Sequence, residues 1–218
     1  MTPNVPEHRR DWAIFEKELP GYWDRNVVPS VSQLLAFKFG EPPNLDIVKI
    51  GMDRGSKVHW ALQLLDEQDL DHATIEGTDM LKYIDQWARF KQPGDEWIGI
   101  ERPLYGTLVD IDYIVKPDRI LLRGDKVMII DIKAKSERGR SPTKDEQLKH
   151  ALQIAAQKVA VAQRLGPEAH WAGCMYIWPH KTELVGYNDP KFIGDFVRII
   201  SEWAEARTMG EQAEMVEA

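Results

Sequence analysis

The sequence predicts an α/β fold in which a central mixed β-sheet is flanked by helices. Helical periodicity dominates residues 53–90, gives way to short apolar runs over residues 97–134, and returns over residues 145–164. This alternation of helical and extended patterns is typical of a sheet whose faces are covered by helices. A length of 218 residues is enough to bury one core, so we expect a single domain over residues 1–218.

Six segments carry helical signals. In the clearest of them, apolar residues recur at intervals of three or four from Val58 to Leu65. In the Val28–Leu35 segment, a serine at a suitable N-cap position precedes an apolar pair one turn later. The predicted helices are Asp11–Leu19, Val28–Leu35, Asp53–Leu65, Asp79–Phe90, Asp145–Arg164 and Pro190–Ala206. We expect flexible tails at residues 1–10 and 207–218, which are polar and lack an apolar period.

Seven short runs rich in Val, Ile, Leu and Tyr predict strands. The turn residues Gly124 and Asp125 favour a hairpin between the fourth and fifth runs. The run Val127–Lys133 is apolar at both alternating positions until Asp131, as expected of a central strand covered on both faces. The predicted strands are Trp97–Glu101, Leu104–Val109, Ile111–Val115, Arg119–Leu122, Val127–Ala134, Ala172–Trp178 and Glu183–Tyr187.

Composition excludes several kinds of site. Cys174 is the single cysteine, which excludes an internal disulfide, a cysteine-based zinc site and an iron–sulfur cluster, and we expect it to be a buried hydrophobic residue. The sequence has no apolar stretch long enough to span a bilayer and no signal-peptide pattern, so we expect a cytoplasmic location without membrane contact. The formal net charge is −7, so nucleic-acid binding would depend on local concentrations of cations.

Three charged residues are candidates for phosphodiester chemistry. Asp131 and Lys133 are two residues apart, so their side chains lie on the same face of one strand. A hairpin turn at Gly124 would bring Asp118 beside them. Carboxylates can hold Mg²⁺ or Mn²⁺, which activates water, while a lysine orients or deprotonates that water and adds positive charge near the phosphate. An Asp-x-Lys pattern is also typical of a solvated ion pair, and this alternative remains open.

Several short motifs occur in a fixed order along the chain. They are Val28-Pro-Ser-Val-Ser32, Gly55-Ser-Lys-Val-His59, Pro117-Asp118 with Asp131-Ile-Lys133, and His150-Ala-Leu-Gln153. Together they resemble the signature of the PD-(D/E)XK nucleases, in particular the RecB-like and phage exonuclease branch. The resemblance extends over about residues 28–187. It implies a restriction-endonuclease-like core and hydrolysis of DNA with Mg²⁺ or Mn²⁺, without a covalent intermediate.

The resemblance also implies roles for individual residues. The implied metal ligands are His59, Asp118, Asp131 and Ile132. The implied catalytic residues are Asp118, Asp131, Lys133 and Gln153, with Lys133 as the catalytic lysine and Gln153 near the nucleophile or the DNA. Additional candidates are Glu101 and Gln157, although a glutamate at a strand end is more often a surface ion-pair partner.

The sequence departs from the family pattern at two places. The common Gly-Thr-Pro-Asp is here Val115-Lys-Pro-Asp118. The segment Gly106-Thr-Leu-Val-Asp110-Ile-Asp112 contains a competing Gly-x-x-x-Asp motif, which makes Asp110 and Asp112 rival ligands. A single hairpin joins Asp118 to Asp131, which favours Asp118. Gln157 stands where the family often has a tyrosine.

The basic segment is expected to contact DNA because it leaves the proposed catalytic strand directly, and a solvated basic loop is the alternative. Its Gly139 and Pro142 disfavour regular structure. The candidate DNA-binding residues are Lys135, Arg138, Arg140, Lys144 and Lys149. Trp60 is a further candidate for stacking on a base.

We expect an exonuclease of phage- or prophage-type recombination, repair or replication in a bacterial or phage-infected cell. A homo-oligomer and a single-strand DNA-binding or recombination partner protein fit this role. The alternatives are a structure-specific or restriction-like endonuclease, and a DNA-binding module that has lost catalysis.

Overall fold

The computed structural model describes residues 28–166 and 168–217. Within these ranges the helices are α1 (Val31–Phe39), α2 (Asp46–Asp66), α3 (Met80–Phe90), α4 (Lys144–Leu165) and α5 (Lys191–Glu217). The strands are β1 (Asp95–Ile100), β2 (Leu104–Leu108), β3 (Ile111–Val115), β4 (Arg119–Arg123), β5 (Lys126–Ala134), β6 (Trp171–Ile177) and β7 (Thr182–Gly186). The predicted helix Asp11–Leu19 and the predicted tail 1–10 lie outside the described residues. None of the described helices is both long and apolar enough to cross a membrane.

Five of the strands form one mixed sheet in the order β1-β4-β5-β6-β7. β5 and β6 are parallel, whereas the other neighbouring strands are antiparallel. The predicted fold class, a central mixed sheet flanked by helices, is therefore confirmed. β2 and β3 form a separate two-stranded sheet, a distinction that the short apolar runs of the sequence do not contain.

The central strand β5 separates two apolar clusters. Ile129 packs with residues of α4 and α5 on one face of the sheet. Ile130 and Ile132 pack with residues of α2 and α3 on the other face. Because side chains alternate along a strand, Asp131 and Lys133 lie on the same face as Ile129. The prediction of a strand covered on both faces is confirmed.

Side-chain caps fix where two of the helices begin. Ser30 caps α1 and Thr143 caps α4, and each forms a capping box with the residue three positions later, Gln33 and Glu146 respectively. A cap of this kind stabilises a helix by about 1 kcal/mol. The cap at Thr143 also ends the basic segment that follows β5.

Two helices are longer than their sequence patterns predict. α2 begins at Asp46 rather than Asp53, and its first turns carry the exposed residues Ile47 and Ile50, so no buried apolar stripe marks the true start. α5 continues to Glu217, so residues 207–217 of the predicted tail belong to the helix. Once the packed part of a helix has formed, each further residue adds a hydrogen bond at little cost, and the Glu-, Gln- and Ala-rich end of the chain favours this extension.

A buried ion pair joins α2 to β4. The fully buried Arg119 donates from Nε to Asp66 Oδ2 over 2.7 Å. Asp66 also accepts hydrogen bonds from Trp87 Nε1 at 2.9 Å and Lys91 Nζ at 3.0 Å. Arg119 Nη1 donates to the carbonyl oxygen of Asp118 at 2.7 Å. The pair therefore fixes the position of α2 relative to the start of β4.

Replacement of Asp66 by alanine should destabilise the protein by about 3–5 kcal/mol, because it removes the nearest counter-charge of the buried Arg119 guanidinium and leaves only Glu101, at 3.8 Å. Urea unfolding followed by circular dichroism measures this change. The matched control is Asp69→Ala, three residues further on and exposed, which should shift the free energy of unfolding by less than about 0.5 kcal/mol. Equal unfolding midpoints for Asp66→Ala and the wild type would contradict this account.

Candidate active site

Two carboxylates reach the candidate site from neighbouring strand ends. Glu101 directly follows β1, Asp118 directly precedes β4, and the Glu101 N–H donates to the Asp118 carbonyl oxygen at 3.0 Å. The pairing of β1 with β4 is irregular between Trp97 and Gly99, and Glu101 itself has a left-handed φ of 50°. Bulges and left-handed non-glycine residues are common beside functional sites because they redirect a side chain at some energetic cost.

His59, Glu101 and Asp118, hereafter the histidine group, place one ligand atom each within 4.8 Å of one another. His59 Nδ1 lies 3.2 Å from Glu101 Oε1 and 3.4 Å from Asp118 Oδ1. His59 Nε2 lies 2.8 Å from the carbonyl oxygen of Ile132. One imidazole from α2 therefore contacts two carboxylates and one main-chain carbonyl of the sheet.

Burial and opposite charge compete in setting the protonation of the histidine group. Burial lowers the pKa of His59, but the carboxylates of Asp118 and Glu101 outweigh it and raise that pKa to about 10. Burial and the negative charge of Asp131 raise the pKa of Asp118. Burial would raise the pKa of Glu101 as well, but hydrogen bonds from His59 and Lys116 bring it to about 2. The carboxylates therefore favour a positive charge beside them, which either a protonated imidazole or a bound cation supplies.

A second set of contacts joins Asp131, Lys133 and Gln153, hereafter the lysine group. Lys133 Nζ lies 2.6 Å from Asp131 Oδ2 and donates to Gln153 Oε1 at 3.1 Å. Gln153 Nε2 donates to Asp131 Oδ1 at 2.7 Å, and Gln157 Nε2 approaches the same oxygen at 3.4 Å. Burial would lower the pKa of Lys133, but Asp131 outweighs burial and raises it. The ammonium is therefore held in its charged form.

The main chain of Ile132 links the two groups. Its N–H donates to Asp118 Oδ2 at 2.5 Å, and its carbonyl oxygen contacts His59. The histidine group reaches this point from the α2 side of the sheet and the lysine group from the α4 side. His59 and Asp118 of the histidine group and all three residues of the lysine group line one open cleft of about 380 Å³, hereafter the central cleft. The predicted convergence of Asp118, Asp131 and Lys133 at one end of the sheet is thus present in the geometry.

The donor atoms of the histidine group can hold a divalent metal ion. They comprise carboxylate oxygens and one imidazole nitrogen, with the Ile132 carbonyl oxygen beside the ring. Cys174 is buried as expected, and its thiol contacts Asp131 Oδ2 at 3.6 Å instead of joining this group. Glu101, which the sequence offered only as an additional candidate, lies in the group, while both oxygens of Asp131 face the lysine group.

The rival carboxylates lie in the small two-stranded sheet. Asp110 occupies the tight turn between β2 and β3 with a φ of 61°. Asp112 Oδ1 accepts a hydrogen bond from Thr107 Oγ1 at 2.6 Å. Among the residues that the structure describes, neither belongs to the group of potential ligands around His59.

The candidate DNA-binding residues differ in their surroundings. Lys135 lines the central cleft, where burial lowers its pKa. Arg140 pairs with Glu146 at 2.7 Å on the surface. The remaining candidates are Arg138, Lys144 and Lys149. The segment between β5 and α4 contains neither helix nor strand, as its Gly and Pro residues predict.

Three residues that support the site, Lys116, Asp66 and Arg119, are not part of the sequence motifs. Lys116 Nζ lies 2.8 Å from Glu101 Oε2, and the Asp66–Arg119 pair holds α2 against β4. Arg119 directly precedes the apolar run Ile120–Leu122, and a cation in that position usually needs a buried partner. This signal marks Arg119, but it does not identify which of the 35 acidic residues is the partner.

Comparisons with known proteins identify the family of the chain. The sequence profile of the PD-(D/E)XK nuclease superfamily matches residues 75–217. No curated protein sequence matches the chain. A solved structure from Eubacterium rectale, described as a candidate exonuclease, is 14% identical with a TM-score of 0.52, and the alignment covers 84% of this chain and 81% of that one. This likeness supports the fold alone.

A second solved structure, SSO0001, is 16% identical with a TM-score of 0.37, and the alignment covers 79% of this chain and 82% of that one. A TM-score of this size carries no argument about the fold or the site.

Replacement of Asp118 by asparagine should weaken Mn²⁺ binding at least about tenfold, because it removes a charged donor from the histidine group. Even residues that only hydrogen-bond to metal ligands change metal affinity by about 10–100-fold when they are replaced. Isothermal titration with Mn²⁺ measures the change. Asp110→Asn, at the rival carboxylate, should leave the Kd unchanged. Unaltered binding by Asp118→Asn, or lost binding by Asp110→Asn, would exclude the histidine group as the metal centre.

Proposed function

Because the chain belongs to the PD-(D/E)XK nuclease superfamily, we propose that it is a metal-dependent deoxyribonuclease that removes nucleotides from DNA ends. The observation that carries the proposal is the meeting of the histidine group and the lysine group at one end of β5. Buried carboxylates are costly unless a positive charge lies beside them, and a bound divalent cation can take that role in place of the His59 proton.

His59, Glu101 and Asp118 would hold Mg²⁺ or Mn²⁺. The Ile132 carbonyl adjoins them, and Asp131 lines the same cleft as His59 and Asp118, so both are further candidate ligands. A bound divalent cation supplies Lewis acidity toward the phosphate and lowers the pKa of water. His59 carries a proton in the arrangement described, and its release would accompany metal binding.

Lys133 is proposed to stabilise the negative charge that develops on the phosphate. The raised pKa of Lys133 keeps its ammonium protonated, so it acts as a hydrogen-bond donor and a fixed positive charge. Gln153 is proposed to position it, since the same amide accepts from Lys133 and donates to Asp131. Gln157 adds a longer contact to Asp131 from the next turn of α4.

DNA is the proposed substrate, bound through its phosphates by cations near the central cleft. Lys135 lines that cleft, and the exposed basic segment leaves β5 directly beside it. Exonuclease activity in recombination, repair or replication of phage or prophage type is supported by the sequence resemblance. The Eubacterium rectale protein, described as a candidate exonuclease, is in line with it. A cytoplasmic location, a homo-oligomer and a single-strand DNA-binding or recombination partner belong to the same proposal.

Incubation with end-labelled linear and closed circular DNA tests this function. The wild type should degrade linear DNA in Mg²⁺ or Mn²⁺, spare closed circles and be inactive in EDTA. Lys133→Ala should lower the rate by about 10²–10³-fold, as the loss of one transition-state donor does elsewhere. Lys126→Ala, at the exposed opposite end of β5, is the matched control and should retain the wild-type rate.

Cutting of circular DNA would assign the alternative endonuclease activity. DNA binding without cleavage in either metal would assign a binding module that has lost catalysis. Equal rates for Lys133→Ala and Lys126→Ala would remove Lys133 from the mechanism.

A further inference from the structure

A second cleft of about 360 Å³ adjoins the central cleft on the other side of His59. One wall is a single face of α2, and the other comes from the ends of β1 and β3. The residues that line it, hereafter the Trp60 cleft, are Gly55, Ser56, His59, Trp60, Gln63, Glu101 and Lys116. Gly55 and His59 also line the central cleft, so the two spaces meet across α2 at these residues.

Gly55 lies where the two clefts adjoin. It lies inside α2, where glycine is less favourable than alanine by about 1 kcal/mol. A Cβ atom added at Gly55 would meet no other atom within 4 Å, so packing does not require a glycine here. Neither helix stability nor packing therefore explains the glycine. A ligand that crosses the helix at this point would explain it, because a side chain here would occupy the same space.

Trp60 presents an indole to solvent on the wall of this cleft. It is 57% exposed, while Trp87 and Trp178 are almost completely buried in the apolar clusters. An exposed aromatic face beside a candidate phosphodiester site suits a flat apolar ligand. Every nucleobase offers such a face, and stacking on an aromatic side chain contributes about 1–3 kcal/mol per base.

Lys116 supplies a cation on the opposite wall. Its ammonium lies 2.8 Å from Glu101 Oε2, and its side chain is 58% exposed. The charge of Glu101 is shared between Lys116 and His59, so the carboxylate does not leave the cleft wall strongly negative. An indole and an ammonium on facing walls match the base and the phosphate of one nucleotide.

We propose that the Trp60 cleft is a subsite for one unpaired nucleotide of the substrate strand. Its base stacks on Trp60, its phosphate lies near Lys116, and the strand crosses α2 over Gly55 to reach the central cleft. The assignment rests on the proposed function. A base inside a duplex is stacked between its neighbours and cannot offer its face to a side chain. The substrate is therefore single-stranded DNA or a duplex end with at least one unpaired nucleotide.

Fluorescence anisotropy tests the subsite by binding rather than by cleavage. The probe is a labelled oligothymidylate of ten residues, in Ca²⁺, with its integrity checked on a gel. Trp60→Ala should raise the Kd roughly 5- to 100-fold, the equivalent of one stacked base, while Trp60→Phe should bind almost as the wild type does. An abasic oligomer of the same length should bind wild type and Trp60→Ala equally, because it has no base to stack.

A matched pair of glycine variants tests the proposed path of the strand over Gly55. Gly55→Leu should weaken binding of the oligothymidylate at least about fivefold, the lower bound of one stacked base, because its side chain enters the junction of the clefts. Gly51→Leu, one turn earlier on α2, has equally open surroundings and lines neither cleft, so it should bind normally. Thermal melts confirm that both variants fold.

Unchanged oligothymidylate binding by Trp60→Ala, or equal weakening by the two glycine variants, would overturn the subsite. Absence of binding by the wild type, or equal wild-type affinity for the abasic oligomer, would overturn it too. Cleavage by the wild type in Mn²⁺ is measured separately. Cleavage with unchanged binding by Trp60→Ala refutes the subsite and leaves the nuclease intact. Base-dependent binding without cleavage refutes the nuclease and leaves the subsite intact.

Discussion

The buried ion pair between Asp66 and Arg119 is the constraint on which the site depends. Asp66 lies two turns after His59 on α2, and Arg119 directly follows Asp118. The pair therefore sets the separation between the helix that carries the histidine and the strand end that carries the carboxylate. Replacement of both partners of such a pair by apolar residues often leaves stability unchanged, whereas removal of one partner is destabilising. The specific contribution of the pair is therefore to fix the position of α2 relative to β4.

β5 divides the site into parts with different chemistry. The histidine group gathers donors for a cation on the α2 side, and the lysine group holds a permanent positive charge on the α4 side. Ile132 lies between Asp131 and Lys133 in β5, and its main chain contacts His59 and Asp118. The two groups therefore lie close together while the His59 imidazole and the Lys133 ammonium have separate carboxylate partners. A strand buried on both faces can therefore end in a polar site.

The fold class, the hairpin from Asp118 to Asp131, and the shared face of Asp131 and Lys133 follow from sequence because they depend on local periodicity and turn residues. The position of Glu101 does not, since it depends on an irregular pairing of β1 with β4 that no residue pattern marks. The Asp66–Arg119 pair does not follow from sequence either, because charge alone does not specify a partner 53 residues away.

The proposed chemistry requires a divalent cation between α2 and the adjoining ends of β1 and β4. Anomalous diffraction from a crystal grown with Mn²⁺ tests it most directly. The expected result is a manganese peak bounded by His59, Glu101 and Asp118. A peak beside Asp110 or Asp112, or a crystal with no manganese at the histidine group, would contradict it.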